Sequence, residues 1–323
     1  MTIPPSSTIT QHKETISAEH AGSRLDAVAA TMFPEYSRSR LKDWIKSGAL
    51  RIDGRTVKPN TKLAGGEHLE LDAELEQDAS FEPEDIALDI VYEDDEIIVL
   101  NKPVGLVVHP AAGNWSGTLL NGLLFHCPEL ANIPRAGIVH RLDKDTSGLM
   151  VVAKTLNAQL SLIDQLQQRS VSRTYWAIVR GEPDKKGIID APIGRHPTQR
   201  VKMAVVKGTG KEARTHYRVT HKLSGFALVE LKLETGRTHQ IRVHMSHLGF
   251  PLVGDQVYGS RWPANLKNDE MLDYVREFPR QALHAKELGL IHPGTGKEMS
   301  WQTMLPEDFE SVLLDLKDRH SAY

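Results

Sequence analysis

The chain has 323 residues, is 40% hydrophobic and 25% charged, and carries a formal net charge of −3, values normal for a globular protein of two domains rather than one. No apolar run approaches the ~18 residues of a membrane helix. Cys127 is the only cysteine, so an intramolecular disulfide and a cysteine-based zinc cluster are excluded, and cytoplasmic residence is expected.

The charge is segregated. Residues 24–62 carry a net +5, residues 67–96 carry −14 without a single Lys or Arg, and the rest of the chain is left with +6. A mildly acidic average therefore does not argue against nucleic acid as a partner, because local patches decide that.

Residues 1–15 are polar, with Pro4, Pro5 and several Ser and Thr, and are expected to form a flexible tail. The first structured unit is expected over 16–75. Leu25, Val28, Ala29 and Met32 follow helical spacing, and Pro34 stops that helix. Ser37 or Ser39 can cap a second helix with Leu41, Trp44 and Ile45 on its apolar face, and Gly48 is placed to end it. Leu50 and Ile52, the Asp53-Gly54 turn and Val57 read as a hairpin, and Leu69 to Leu75 as a further strand. Arg38, Arg40, Lys42 and Lys46 lie on or beside the second helix, where such charges ordinarily form a solvated face. The order of two short helices and a hairpin, with Tyr36-Ser37-Arg38-Ser39-Arg40-Leu41-Lys42 and Gly48-Ala49-Leu50-Arg51-Ile52-Asp53-Gly54, is similar to the S4 RNA-binding domain. That resemblance implies that the basic helix lies against an RNA backbone. Residues 76–88, inside the acidic stretch that contains Pro83, are expected to be a linker held extended by like-charge repulsion.

A large domain is expected over 89–323. Ile90 to Tyr92 and Ile97 to Leu100 flank an acidic turn as a hairpin, and Leu106 to Val108 look like a third strand. Leu119, Leu120, Leu123 and Leu124 mark a helix, as do Leu160, Ile163 and Leu166 within 156–169. Residues 174–179, 215–219 and 226–233 read as strands, and 238–248 as a helix closed by Gly249 and Pro251. Strand-rich connections with a few helices indicate an α+β fold, a largely antiparallel sheet with flanking helices.

The stretch Gly137 to Lys154 reads as strand, loop, strand, with Ile138-Val139 and Val151-Val152 around the polar run Asp143 to Ser147. An Asp in such a loop ordinarily bonds its own backbone, but a carboxylate held there can also serve as nucleophile or base. The string His140-Arg141-Leu142-Asp143-Lys144-Asp145-Thr146-Ser147-Gly148-Leu149 resembles the signature of the RluA-type pseudouridine synthases. The resemblance covers most of residues 89–293 and implies that Asp143 is the catalytic aspartate, attacking C1′ or C6 of a uridine or abstracting a sugar proton. It places Tyr175, in Ser172-Arg173-Thr174-Tyr175-Trp176-Ala177, against the target base. It pairs Arg237 with Asp143 and packs Ile241 behind the base, both within Leu233 to His244. Arg141 would fill the space a flipped base leaves. Asn101-Lys102-Pro103 and Leu252 to Asp255 are assigned to scaffold and pocket wall.

Other clusters are weighed against this. His239, His244 and His247, with His140, fit no zinc motif, so no metal is expected. Gly65-Gly66 and Gly208-Thr209-Gly210 lack a phosphate-loop pattern, and no cofactor is implied. Arg195, Arg200 and Lys202 belong to a basic stretch rich in turn residues, expected to be an RNA-contacting arm. The partner implied by the resemblance is RNA, either 23S ribosomal RNA with its helix 69 loop or a large-subunit precursor, with no membrane and a monomeric enzyme. Two rivals remain: a non-catalytic S4-type ribosome-assembly factor, which has no use for Asp143, Tyr175 and Arg237 together, and a glycoside hydrolase, which ordinarily needs two carboxylates ~5 Å apart.

Overall fold

A computed structural model describes residues 8–33, 36, 38–75, 81–110, 114–199, 202–259 and 272–321. It divides into two compact units, Met1–Phe81 and Glu82–Tyr323.

The first unit contains β1 (Thr8–Thr15), α1 (Leu25–Met32), α2 (Arg38–Ser47), β2 (Leu50–Ile52) and β3 (His68–Leu75), with the strands in the order β1-β3-β2. Both helices fall where apolar spacing put them. Leu25, Leu41, Ile45, Leu50 and Leu69 are each 0% exposed in one core, and burying each contributes ~1.5–3 kcal/mol. Gly48 closes α2 at φ 84°, a left-handed position that costs glycine no Cβ clash.

Two expectations are corrected here. Residues 8–15, expected in a flexible tail, form β1, paired antiparallel with β3 from Thr8↔Leu75 to Thr15↔His68. The strand lacks apolar alternation, which is why periodicity misses it. Polar cross-strand pairs hold it, Lys13 to Glu70 at 2.9 Å and Gln11 to Asp72 at 3.0 Å. The hairpin through Asp53-Gly54 is also not formed as such. The turn returns only as a single bridge from Ile52 to Arg55, and β2 pairs instead with β3.

In the second unit, β4 (Ile90–Glu93), β5 (Ile97–Lys102), β6 (Ser147–Ala153), β7 (Ser172–Arg180), β8 (Lys186–Asp190), β11 (Arg214–Lys222), β12 (Phe226–Leu233), β13 (Leu283–Ile291) and β14 (Glu298–Gln302) form one sheet. Its order is β4-β5-β6-β13-β7-β12-β11-β8, with β14 on β13. Pairing is antiparallel except for β6 with β13, in agreement with the expected fold. A separate hairpin pairs β9 (Ile193–Arg195) with β10 (Met203–Val205).

The helices are α3 (Leu119–His126), α4 (Leu156–Gln167), α5 (Gln240–His247), α6 (Asp273–Arg276) and α7 (Glu307–Ser321). Ala158 and Leu162 of α4 pack on β5 and β6, while Val275 of α6 and Phe309, Val312 and Leu316 of α7 pack on β7 and β12. Gly148 lets two strands meet at the sheet centre. Its φ is 117°, and a Cβ there would lie 2.3 Å from the carbonyl oxygen of Ala285.

Residues 82–88, expected in the linker, belong to this unit; residues 76–80 lie outside the described residues. The Glu84 carboxylate accepts from the Gly117 N–H at 2.9 Å, and Asn121 Nδ2 donates to the Glu82 carbonyl at 2.8 Å. Gly122 leaves room for Ile86, whose Cβ would stand 3.1 Å from an added Cβ. Contacts with α3 thus outweigh the repulsion among the acidic side chains. The strands expected at 106–108 and 138–139 reduce to the single bridges Val107↔Thr118 and Ile138↔Val152.

Candidate active site

Asp143 leaves the sheet just before β6, in a turn closed by Thr146 N–H donating to the Asp143 carbonyl at 3.1 Å. The loop is held from beneath by Lys102. This side chain is 0% exposed and its ammonium donates to the carbonyls of Pro103 at 2.7 Å, Leu106 at 2.9 Å and Lys144 at 2.9 Å. Burial pushes its pKa down to about 8, against the pull of Asp145 and Asp143.

The partner of Asp143 is Arg242 and not Arg237. Arg242 Nη1 donates to Asp143 Oδ2 at 2.9 Å, while its Nε and Nη2 grip both oxygens of Asp255 at 2.7 and 3.0 Å. Asp255 is 0% exposed in its side chain and also accepts from the N–H groups of Val257 and Tyr258. Burial opposes charge on Arg242, but the two carboxylates outweigh it and hold its pKa above the ordinary value. Burial likewise raises the pKa of Asp255, and Arg242 overrides it, leaving the carboxyl below its usual range.

Arg237, five residues earlier, sits before α5 begins. Its Nε donates to the Glu212 carbonyl at 2.9 Å, at the half-exposed rim. The physical reason is the position of the helix start. α5 begins at Gln240, so Arg242 rides on a rigid, buried element while Arg237 belongs to the loop.

Gln240 fixes that junction with all four of its hydrogen-bonding positions used. Oε1 accepts from Thr235 Oγ1 at 2.8 Å and Arg237 N–H at 3.0 Å; Nε2 donates to the Arg214 carbonyl and to Thr215 Oγ1, both at 3.0 Å. His239 adopts a left-handed φ of 56° ahead of the helix. Its Nδ1 lies 2.8 Å from Tyr258 OH and its Nε2 3.8 Å from Asp143 Oδ1. Burial lowers its pKa, partly offset by Asp143. The Arg242 guanidinium lies 5.1 Å from the centre of the Tyr258 ring.

Asp143, Arg237, His239, Gln240 and Arg242 line one cleft of about 810 Å³, within the range of small-ligand sites. Asp143, Arg141, Tyr175, Ile241 and Arg237, all singled out in the sequence, line it together. Tyr175 is 6% exposed, and its pKa is raised by burial against the opposing pull of Arg173. It stands on β7 between β12 and β13, opposite Leu231 and Ala285. Ile241 is 4% exposed. Arg141 is exposed at the mouth.

The histidines go to separate partners. His244 bonds Thr215 Oγ1 and the Ala191 carbonyl, and His140 Nε2 accepts from Val151 N–H at 3.1 Å. Burial pushes the His140 pKa down to about 3.

Among the expected RNA contacts, Lys42 pairs with Asp26 at 3.3 Å, Lys46 pairs with Asp43 at 2.8 Å, and Arg40 lies 5.8 Å from the Trp44 ring, all within the first unit. The side chain of Arg38 is outside the described residues. Arg195 ends β9 and Lys202 precedes β10, Arg195 exposed and Lys202 donating to the Val257 carbonyl at 3.2 Å; Arg200 is outside the described residues. The hairpin packs through Ile193, Met203 and Val205 with Val243 of α5.

Sequence reasoning missed Arg242, Tyr258 and Arg173 as site residues, and gave Asp255 only to scaffold and pocket wall, not to a clamp on Arg242. Arg242 carried a usable signal, since it lies between the apolar Ile241 and Val243 on the expected helix, whose residues 240–245 are all buried, and a buried charge must find a partner.

A family model described as RNA pseudouridylate synthase matches residues 96–247, and an S4 domain model matches residues 23–69. Ribosomal large subunit pseudouridine synthase D of Pseudomonas aeruginosa is 56% identical over 306 residues, 94% of this chain and 95% of that protein. The protein of that name from Escherichia coli K12 is 52% identical over 301 residues, 93% and 92% of the two chains. Among solved structures, human RNA Pseudouridylate Synthase Domain Containing 4 has a TM-score of 0.56 at 28% identity, over 71% of this chain and 92% of that one. The chain belongs to the RNA pseudouridylate synthases, with an S4 domain ahead of the synthase domain.

Proposed function

We propose that this enzyme converts uridines to pseudouridine in large-subunit ribosomal RNA, in the helix 69 loop of 23S RNA. The observation that carries the reading is the Asp143 carboxylate, clamped by a buried arginine inside a cleft that also holds Tyr175 and Ile241. The relatives at 52–56% identity over nearly the whole chain support the choice of RNA.

The target base stacks inside folded RNA and must be flipped out, at a cost of a few kcal/mol. Arg141, exposed at the mouth, fills the space it leaves. Asp143 acts on the ribose or the base while Arg242 fixes its orientation, and Tyr175 and Ile241 wall in the uracil. The N1–C1′ bond breaks, C5 joins C1′, the C5 proton departs and N1 gains one. RNA mass is therefore unchanged, and no redox partner is consumed. The enzyme acts as a monomer in the cytoplasm, a location in keeping with its single cysteine and its substrate.

Mapping pseudouridines in ribosomal RNA from cells lacking the gene tests the assignment. Sites that vanish from the helix 69 loop and return with the wild-type gene are the expected result. An unchanged map refutes the target, and release of free uracil by the purified protein would make it a hydrolase.

A further inference from the structure

Among the described cations of the cleft, Arg173 stands apart. Arg242 is shared between Asp143 and Asp255, Arg169 pairs with Glu212 and Glu234, and Arg237 bonds the Glu212 carbonyl. Arg135 and Arg141 are exposed at the mouth. Arg173 is 7% exposed, its Nε has no hydrogen-bond partner, and among the described residues no carboxylate pairs with it. Its guanidinium lines the cleft against Gly236, where an added Cβ would come within 2.8 Å of Nη1. It lies two residues before Tyr175 on β7, and the two-residue period of a strand turns both side chains to one face. Burial lowers its pKa, with Tyr175 pulling the other way. A buried cation without a counter-charge is costly, and such an arrangement persists where a ligand of opposite charge arrives.

The reaction supplies one. Breaking N1–C1′ leaves the bonding pair on the base, as an anion whose charge spreads over N1, O2 and O4. The base turns, C5 uses a ring electron pair to bond C1′, the C5 proton departs and N1 is protonated. We propose that Arg173 holds this detached uracil anion, stabilising it and keeping it in place while it turns. The proposal rests on the functional reading above. A guanidinium presents its donors in a planar fork suited to adjacent acceptors on a ring edge. Charge that develops only as the bond breaks is stabilised by donors already in position. A backbone phosphate would be met by Arg135 and Arg141 at the mouth, whereas Arg173 lies buried beside Tyr175.

The test uses the full-length protein with Arg173→Met and Arg173→Lys. Single-turnover rates on a ribosomal RNA hairpin, RNA affinity across a salt series and thermal stability are measured together. Arg173→Met is expected to slow the reaction about 10²–10³-fold, the size of losing one transition-state donor. Its RNA affinity stays within about threefold with an unchanged salt slope, and its Tm does not fall, because an unpaired buried charge has been removed. Arg173→Lys recovers at least about tenfold of the lost rate by keeping the charge but stays below wild type, because a point charge lacks the planar fork.

A wild-type rate in either folded Arg173→Met or Arg173→Lys overturns the proposal, and a lowered Tm beside it assigns Arg173 a structural role. Weaker binding with a salt slope reduced by about 0.7–0.9 overturns it in favour of a phosphate contact. Should Arg173→Met not fold, the Lys variant decides alone: a rate below wild type at unchanged affinity upholds the proposal, and a wild-type rate refutes it. Wild-type turnover in the same assay separates this from the parent reading, because wild-type protein that makes no pseudouridine sinks the function itself.

Discussion

Replacing Arg242 with Met keeps the length of the side chain and removes the cation between two carboxylates. Arg242 is 7% exposed, Asp143 17% and Asp255 0% in their side chains. Three charge-assisted hydrogen bonds of 2.7–3.0 Å disappear together, and Asp255 is left buried with only two backbone N–H donors. Breaking a buried pair from one side costs about 3–5 kcal/mol, because the remaining charge is uncompensated. For a folding unit of this size that is a Tm fall of roughly 6–20 °C, at 2–4 °C per kcal/mol. Catalysis should fall further than folded fraction accounts for, since Asp143 loses its orientation. The assay is a double-mutant cycle of Asp143→Asn with Arg242→Met, read in urea unfolding. Removing the Asp143 charge relieves part of the damage, so the pair should be non-additive by about 0.5–3 kcal/mol. The same cycle with Arg237→Ala should be additive within about 0.5 kcal/mol. Additivity at Arg242, or coupling at Arg237, would show that the clamp has been assigned to the wrong arginine.

Asp143→Asn should make no pseudouridine while RNA affinity stays within about tenfold, about 1.4 kcal/mol; turnover by the purified variant removes Asp143 from its role. A fragment beginning at Glu82 should fold, keep its kcat at saturating RNA, and bind RNA more weakly with a shallower salt dependence. For every phosphate that Arg38, Arg40, Lys42 or Lys46 neutralises in the full chain, the log-log slope of the fragment should be smaller by roughly 0.7–0.9. Equal slopes would return those residues to a solvated face. Acid should destabilise the protein through His284, which is 1% exposed and whose pKa burial lowers to about 4. The unfolded imidazole, near 6.5, binds a proton that the folded one refuses. Stability is therefore full above pH 6.5 and lost as pH falls towards 4, by about 3 kcal/mol for this group. His284→Gln should flatten stability over that window, and an unchanged acid slope would show that other groups carry it.

How much could be read from the chain depended on the kind of interaction. The helices at 25–32, 119–126 and 156–167 announce themselves because apolar spacing and burial agree. β1 does not, because its own residues are almost all polar and leave no periodic trace, even though they pair with the alternating leucines of β3. β8, β9 and β10 are short or exposed, and β13, though buried, gains its place from partners far along the chain. Asp143, Tyr175 and Ile241 were legible through local strings that resemble a family. The partner of Asp143 was not, since choosing between Arg237 and Arg242 requires knowing where α5 starts and that Asp255 folds back beneath it.

Lys102 has a consequence for how the loop that carries Asp143 can change over time. Its three protons meet three main-chain carbonyls, of Pro103, Leu106 and Lys144, and a carbonyl is present whatever side chain follows it. The anchor therefore reads the path of the chain and ignores its lettering. Side chains at 106 and 144 are free to drift, adapting the rim to a different RNA, without loosening the turn that presents Asp143. The burden of that freedom falls on one position. Any neutral, non-donating replacement of Lys102 would take a donor from three carbonyls at once, leaving that of Lys144 with only the Gly105 N–H, so tolerance on the loop is bought by intolerance beneath it.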